Sequence, residues 1–205
     1  MDVWYVSYGS NLLEERFLCY IYGQTPEGST KPERGCHDQS TPKGTDRIDL
    51  PYPLYFSKEQ SKWGAGGVAF IDHRSMANEI TIGRKYLITE QQFIEVVAQE
   101  NNIHRLQIDL QSIMEQAFAN ILTGWYGRIV YLGTSNGRPL FTFTNPNPMK
   151  EEAIHTPARP YLRTIAKGLL QLGLSKEQTV AYLLPKKGIN GNFSISSLYT
   201  CLFGK

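Results

Sequence analysis

Residues 3–21 leave this chain few options. Val3, Trp4, Tyr5, Val6 and Ser7 form an aromatic and β-branched run that reads as a short buried strand. Gly9, Ser10 and Asn11 break it. From Leu12 to Ile21 the apolar residues Leu13, Phe17, Tyr20 and Ile21 recur at helical spacing. Ser10 or Asn11 is the natural N-cap of that helix. A strand running through a tight glycine turn into an amphipathic helix requires a sheet against which the helix can bury its stripe.

The rest of the chain decides which kind of sheet. Residues 53–57, 67–71 and 79–88 read as strands, and Thr89 with Gln92 has the form of a capping box opening a helix to about Asn101. A second helix is expected from Asp109 to Leu122, closed by Gly124. Residues 128–132 and 139–144 read as a hairpin around Ser135, Asn136 and Gly137. Two more helices follow, at 159–172 and 175–184, and 186–205 reads as loop with one apolar patch. The alternation of a doubly wound sheet is missing. The expectation is α+β: a mixed, barrel-like β-sheet with strand one central and helices around it. Residues 24–50 are turn-forming and polar, and are expected to be a mobile loop within a single domain spanning 1–205.

Lys and Arg number 21 and Asp and Glu 19, a formal charge of +2. So small and evenly spread a charge argues against a dedicated nucleic-acid or membrane-surface binder. No apolar run approaches a membrane span, and the first residues enter a strand pattern with no basic leader. Cys19, Cys36 and Cys201 are few, odd in number and far apart, which suggests reduced thiols in a cytoplasmic protein. The four histidines lack metal-ligand spacing, and Cys36 and His37 are adjacent rather than spaced. No nucleophile elbow, P-loop or dinucleotide fingerprint occurs, so no metal or cofactor is expected.

Three features carry possible chemistry. In the strand–turn–helix at Tyr8, Gly9, Ser10, Asn11 and Leu12, successive backbone N–H groups can hold an anion; the same pattern also serves as a plain capped helix. Phe93, Val96, Val97 and Glu100 fall on one helical stripe, which would withdraw the Glu100 carboxylate from water and suit it to proton transfer; if the helix ends near Ala98, Glu100 sits in solvent. Tyr161, sharing a face with Ile165, Leu169 and Leu172, is either core packing or a phenol over a cleft.

Together these residues resemble the gamma-glutamylcyclotransferase-like family. The run Trp4-Tyr5-Val6-Ser7-Tyr8-Gly9-Ser10-Asn11-Leu12 is similar to its aromatic-x-Tyr-Gly-Ser-Asn-Met/Leu signature. Trp63-Gly64-Ala65-Gly66-Gly67-Val68-Ala69 is similar to its tryptophan and paired glycines, Ala98-Gln99-Glu100 to its catalytic glutamate, and Pro160-Tyr161-Leu162 to its late tyrosine and helix. Asn101 and Asn102 stand where the family commonly has glycine, and the 23–50 insert and the carboxy-terminal extension exceed its small members. The resemblance implies release of 5-oxoproline from a γ-glutamyl amine or peptide, whose own α-amine attacks its γ-carbonyl. Glu100 would be the general acid/base, and Tyr8, Gly9, Ser10, Asn11, Leu12 and Tyr161 the substrate-binding residues. The other readings are a small-ligand binder of the same fold without turnover, and an amide hydrolase such as a deacetylase.

Overall fold

The computed structural model describes residues 1–204. In chain order its elements are β1 (Asp2–Ser7), a single 3-10 turn (Ser10–Leu12), α1 (Glu14–Tyr22), β2 (Gly44–Leu50), β3 (Leu54–Ser57), β4 (Gln60–Ser61), β5 (Gly64–Ala65), β6 (Val68–Ile71) and β7 (Thr81–Thr89). Then come α2 (Glu90–Glu100), α3 (Leu110–Gln116), β8 (Phe118–Asn120), β9 (Arg128–Ser135), β10 (Arg138–Thr144), a second 3-10 turn (Met149–Glu151), α4 (Arg159–Gln171), α5 (Lys176–Leu183) and α6 (Ile195–Phe203). They fall into two compact units: Met1–Ser7, Glu14–Ile48 and Arg84–Pro146 make the first, and Tyr8–Leu13, Asp49–Gly83 and the chain from Asn147 the second.

The first unit carries a mixed sheet of order β2-β7-β1-β10-β9-β8, apart from residues 49–50 and 81–83. β1 is interior, parallel to β10 with Tyr5 opposite Phe141, and antiparallel to β7 with Tyr5 opposite Tyr86. The barrel-like expectation is met as a mixed sheet with β1 inside it; β2 and β8 are its edges, so it does not close. β9 and β10 join through Asn136 and Gly137, both at positive φ (51° and 71°), the two-residue turn that matches strand twist. Tyr5 is the hub of the core, with ring centroids 5.2 Å from Phe143, 5.4 Å from Phe17 and 6.0 Å from Phe93.

Helix α2 starts where the capping box places it. Thr89 Oγ1 accepts from the Gln92 amide, and Gln92 Oε1 accepts from the Thr89 amide at 3.0 Å. Phe93, Val96 and Val97 are fully buried against the core. Elsewhere the sequence reading and the structure part. Helix α3 stops at Gln116 rather than running to Leu122, because Ala117 turns left-handed (φ 66°) and residues 118–120 pair with β9 instead. An alanine in that conformation costs about 1–2 kcal/mol, which the added edge strand and the burial of Ile113 and Leu110 offset. The turn-rich 24–50 stretch ends in β2, and the tail holds α6, opened by Ser194 and Ser197 as a reciprocal cap.

In the second unit β3 and β6 form an antiparallel pair, all of whose residues are buried, with Leu54 opposite Ile71 and Phe56 opposite Ala69. A small hairpin, β4–β5, carries Trp63 at its tip. Three helices complete the unit, α4 with Pro160 in its first turn and α5 opened by the Ser175–Gln178 capping box. No helix among the described residues is long and apolar enough to cross a membrane.

Candidate functional site

The predicted site residues divide between the two units. In the second, the chain leaves Tyr8 and makes one 3-10 turn, closed by the Leu12 amide donating to Gly9 O at 3.0 Å and the Leu13 amide to Ser10 O at 3.1 Å. The Leu12 N–H is therefore used within the turn. Neither Ser10 nor Asn11 stands at the N-cap position of α1: Leu13 is extended (ψ 117°), and α1 begins only at Glu14. Asn11 and Leu12 are buried.

Helix α4 lies directly on this turn. A Cβ added at Gly9 would stand 2.8 Å from Tyr161 Oη, and one added at Gly168 would stand 2.4 Å from the Leu12 carbonyl carbon. Both contacts are closer than carbon atoms tolerate, so glycine is required at each for the helix and the turn backbone to meet. Tyr161 is buried, and its hydroxyl accepts from the Ala69 amide at 3.1 Å. Its ring packs at 5.3 Å from Trp63 and edge-on to Phe56 at 6.4 Å. The structure thus brings Gly9, Tyr161 and Trp63 into one cluster: Tyr161 is core packing that also presents its hydroxyl to the turn.

In the first unit Glu100 is the last residue of α2 and half-buried, one turn beyond Val96 and Val97 on the same stripe. Its charge acts on the Tyr20 phenol. Tyr20, wholly buried in α1, also receives a hydrogen bond from Arg16 Nη2 at 2.8 Å, and the same nitrogen reaches Glu33 Oε1 at 2.6 Å. The Arg16 guanidinium lies over the Tyr20 ring, 4.4 Å from its centroid. Burial, then the negative charge of Glu100, push the Tyr20 phenol well above its usual range. Burial works against the Arg16 charge, but Tyr20, Glu100 and Glu33 outweigh it and raise its pKa.

Arg16, Tyr20 and Glu33 were not legible as site residues. The signal for two of them was present: Arg16 and Tyr20 are four apart, and an arginine beside Phe17 on a buried stripe is as anomalous as Glu100 on its own. Glu33 comes from the turn-rich segment, which is tied on by backbone bonds from Cys36 N to Ile21 O and Gly35 N to Gln99 Oε1, and by the Arg34 side chain donating from Nη2 to Ile103 O. The Cys36–His37 neighbours are not a catalytic pair. Burial, reinforced by Glu95, pushes the Cys36 thiol up to about 12, and the exposed His37 ring turns to Glu95 at 2.8 Å. Among the described residues no group of three or more His, Cys, Asp or Glu side chains is placed to hold a metal ion.

No family model matches the chain. Among solved structures it is similar to a protein described as gamma-glutamyl cyclotransferase (TM-score 0.50, 17% identity, 98% of this chain and 99% of that one). An uncharacterized human protein is similar too, with TM-score 0.52, 17% identity and coverage of 97% and 98%. The likenesses run the length of both chains, and the fold is the gamma-glutamylcyclotransferase-like fold that the sequence motifs implied. By sequence, the chain is 36% identical over 204 residues to an Arabidopsis thaliana protein named histone deacetylase 5, aligning 89% of this chain. It spans only 30% of that protein's length.

Proposed function

We propose that this chain is a cofactor-independent cyclotransferase that converts a γ-glutamyl amine or peptide into 5-oxoproline and the free amine. In this reaction the substrate's α-amine nitrogen bonds to its own γ-carbonyl carbon, and the bond from that carbon to the leaving nitrogen breaks. Nucleophile and electrophile share one molecule, so the protein must fold the substrate and move a proton. Glu100 takes the proton from the α-ammonium and returns it to the leaving nitrogen. Backbone N–H groups of the turn at Tyr8, Gly9, Ser10 and Asn11 hold the substrate's anionic oxygen, and Tyr161 adds a hydroxyl beside them. Leu12 helps by shape, its own N–H being bonded within the turn.

The observation that carries this reading is Glu100 itself: a half-buried carboxylate at the end of an apolar stripe. A surface glutamate would have no such surroundings. The three cysteines, none in a disulfide, suit a cytoplasmic enzyme acting on a small molecule.

Assay of 5-oxoproline release from a panel of γ-glutamyl amines and peptides tests the reading. At least one should be turned over, and Glu100→Gln should lose about 10²–10⁴-fold in kcat while still binding substrate. No release from any member, or a Glu100→Gln variant as fast as the wild type, rejects it and favours a binder without turnover. The relative's name adds an acetyl-lysine peptide to the panel; deacetylation without 5-oxoproline release would favour the amide-hydrolase reading instead.

A further inference from the structure

We propose that Trp63 selects the leaving amine: its indole is the apolar wall of the substrate site beside the Gly9 turn, and the γ-glutamyl compounds bound best are those of aromatic amines. This rests on the binding role proposed above for that turn and for Tyr161. Gly9, Trp63 and Tyr161 all belong to the second unit. Tyr161 Oη stands 2.8 Å from where a Gly9 Cβ would be, and the Trp63 ring centroid lies 5.3 Å from that of Tyr161, tilted by 58°. One phenol ring therefore separates the indole from the turn.

The hairpin itself has no need of a tryptophan at its tip. Turns favour Gly, Asn, Asp and Ser, and β4 and β5 pair through Gln60 opposite Ala65 and Ser61 opposite Gly64. Trp63 is only half-buried, and Gly64 and Ala65 beside it are exposed. A large aromatic side chain kept partly open beside polar backbone is the lining that small-molecule sites use.

The stem below Trp63 is fixed on both sides. Before the hairpin, Lys58 is left-handed (φ 79°) and its Nζ reaches Glu152 Oε2 at 2.6 Å, and the Ser57 hydroxyl donates to the same oxygen at 2.9 Å. After it, the Gly66 amide donates to Glu59 O at 2.8 Å and the Gly67 amide to Thr156 O at 3.0 Å. A Cβ at Gly66 would stand 2.6 Å from the Ala158 nitrogen, and one at Gly67 2.7 Å from the His155 oxygen. A wall held in this way is set before substrate arrives and loses little freedom on binding.

Charge decides which part of the substrate meets the indole. The anionic oxygen belongs at the turn amides. The α-amine must lose its proton to attack, and an aromatic face beside it would favour the ammonium. The leaving amine has neither constraint. A Cβ at Gly64 would meet nothing within 4 Å, so there is open space past the ring for a group that extends outward.

Calorimetry with γ-glutamyl-benzylamide and γ-glutamyl-methylamide, which differ by one phenyl ring, tests this on the Glu100→Gln chain. The benzylamide should bind about tenfold more tightly. Adding Trp63→Ala should bring the ratio of the two affinities close to one, whereas Trp63→Phe should keep most of it; the latter decides the matter if Trp63→Ala does not fold, since Trp63→Leu should then lose what Trp63→Phe keeps. Equal affinities with Trp63 present, a preference that survives Trp63→Ala, or no binding of either compound overturns the proposal. Binding needs no turnover. A chain that prefers the benzylamide through Trp63 but releases no 5-oxoproline defeats the proposed reaction and upholds the wall, and release from both amides without preference does the reverse.

Discussion

Around the Tyr8–Gly9 turn, geometry is set by side-chain atoms that are missing; around Glu100 it is set by charge that is buried. Gly9 and Gly168 let Tyr161 and the Leu12 backbone come within distances that any Cβ would forbid. Near Glu100, Arg16 instead reaches Tyr20 and Glu33 through hydrogen bonds, and its charge and theirs are buried together. A change in the first region should therefore act on stability and leave proton chemistry alone. In the second, a change should act on proton transfer as well. Substitutions that fail to respect this division would show that the two kinds of support are not separate.

The largest stability effect is expected at Gly168. In a helix interior, Gly→Ala ordinarily stabilises by about 0.8–1 kcal/mol. Here the new methyl would stand 2.4 Å from the Leu12 carbonyl carbon and 2.5 Å from the Leu13 nitrogen, and both are backbone. Neither can rotate away, so α4 must move off the turn. Gly168→Ala should destabilise by about 1–3 kcal/mol in spite of its helix propensity, read as a lower urea midpoint at unchanged slope. A midpoint that rises instead would mean that α4 does not pack on this backbone.

Tyr161→Phe should come next, at about 1 kcal/mol. It removes the acceptor that the Ala69 amide reaches at 3.1 Å while keeping the ring contacts to Trp63 and Phe56. Thermal unfolding checks it. An unchanged midpoint would assign the hydroxyl to the substrate alone.

What could be read from the sequence followed from how local the cause was. Thr89 and Gln92 sit three apart and satisfy each other's backbone, so the start of α2 needed no tertiary information. Asn136-Gly137 tolerates positive φ at both positions, so the hairpin was also self-contained. The stripe through Phe93, Val96 and Val97 continues to Glu100, and α2 does reach that residue. Where neighbours distant in sequence decide, the reading failed. Ala117 and Ile121 continue the apolar spacing of α3, yet Phe118 and Ala119 between them pair with Val130 and Ile129 of a strand not yet reached in the chain. Helix α6 was missed because its cap uses Ser197 where a longer Glu or Gln is the usual signal. Glu33 was invisible for the same reason as β2: both lie in a polar, turn-forming stretch whose order is imposed by what it touches, Arg16 in one case and β7 in the other.

Glu95 offers the smallest effect and the sharpest contrast with Glu100, five residues away on the same helix. Burial acts to raise its pKa, but hydrogen bonds from the Gln91 side chain and from the backbone and ring of His37 outweigh it, so Glu95 titrates below the ordinary 4.5. A carboxyl whose folded pKa is depressed contributes stability that is fully present above its unfolded pKa. That contribution is lost as pH falls through the folded value. Glu95→Gln removes the titrating group and keeps a side chain of the same size. The variant should be less stable than wild type by under about 1 kcal/mol at neutral pH, and the gap should close as pH falls below 4.5 toward the folded pKa. Urea unfolding at a series of pH values measures the gap directly. The pH dependence of turnover should meanwhile be the same for both proteins, because Glu95 faces His37 rather than Tyr20. A gap that stays constant with pH would mean that the hydrogen bonds to Glu95 do not depress its pKa. A shifted activity profile would mean that the two glutamates are coupled along α2, and the contrast between structural and chemical carboxylates drawn here would have to be given up.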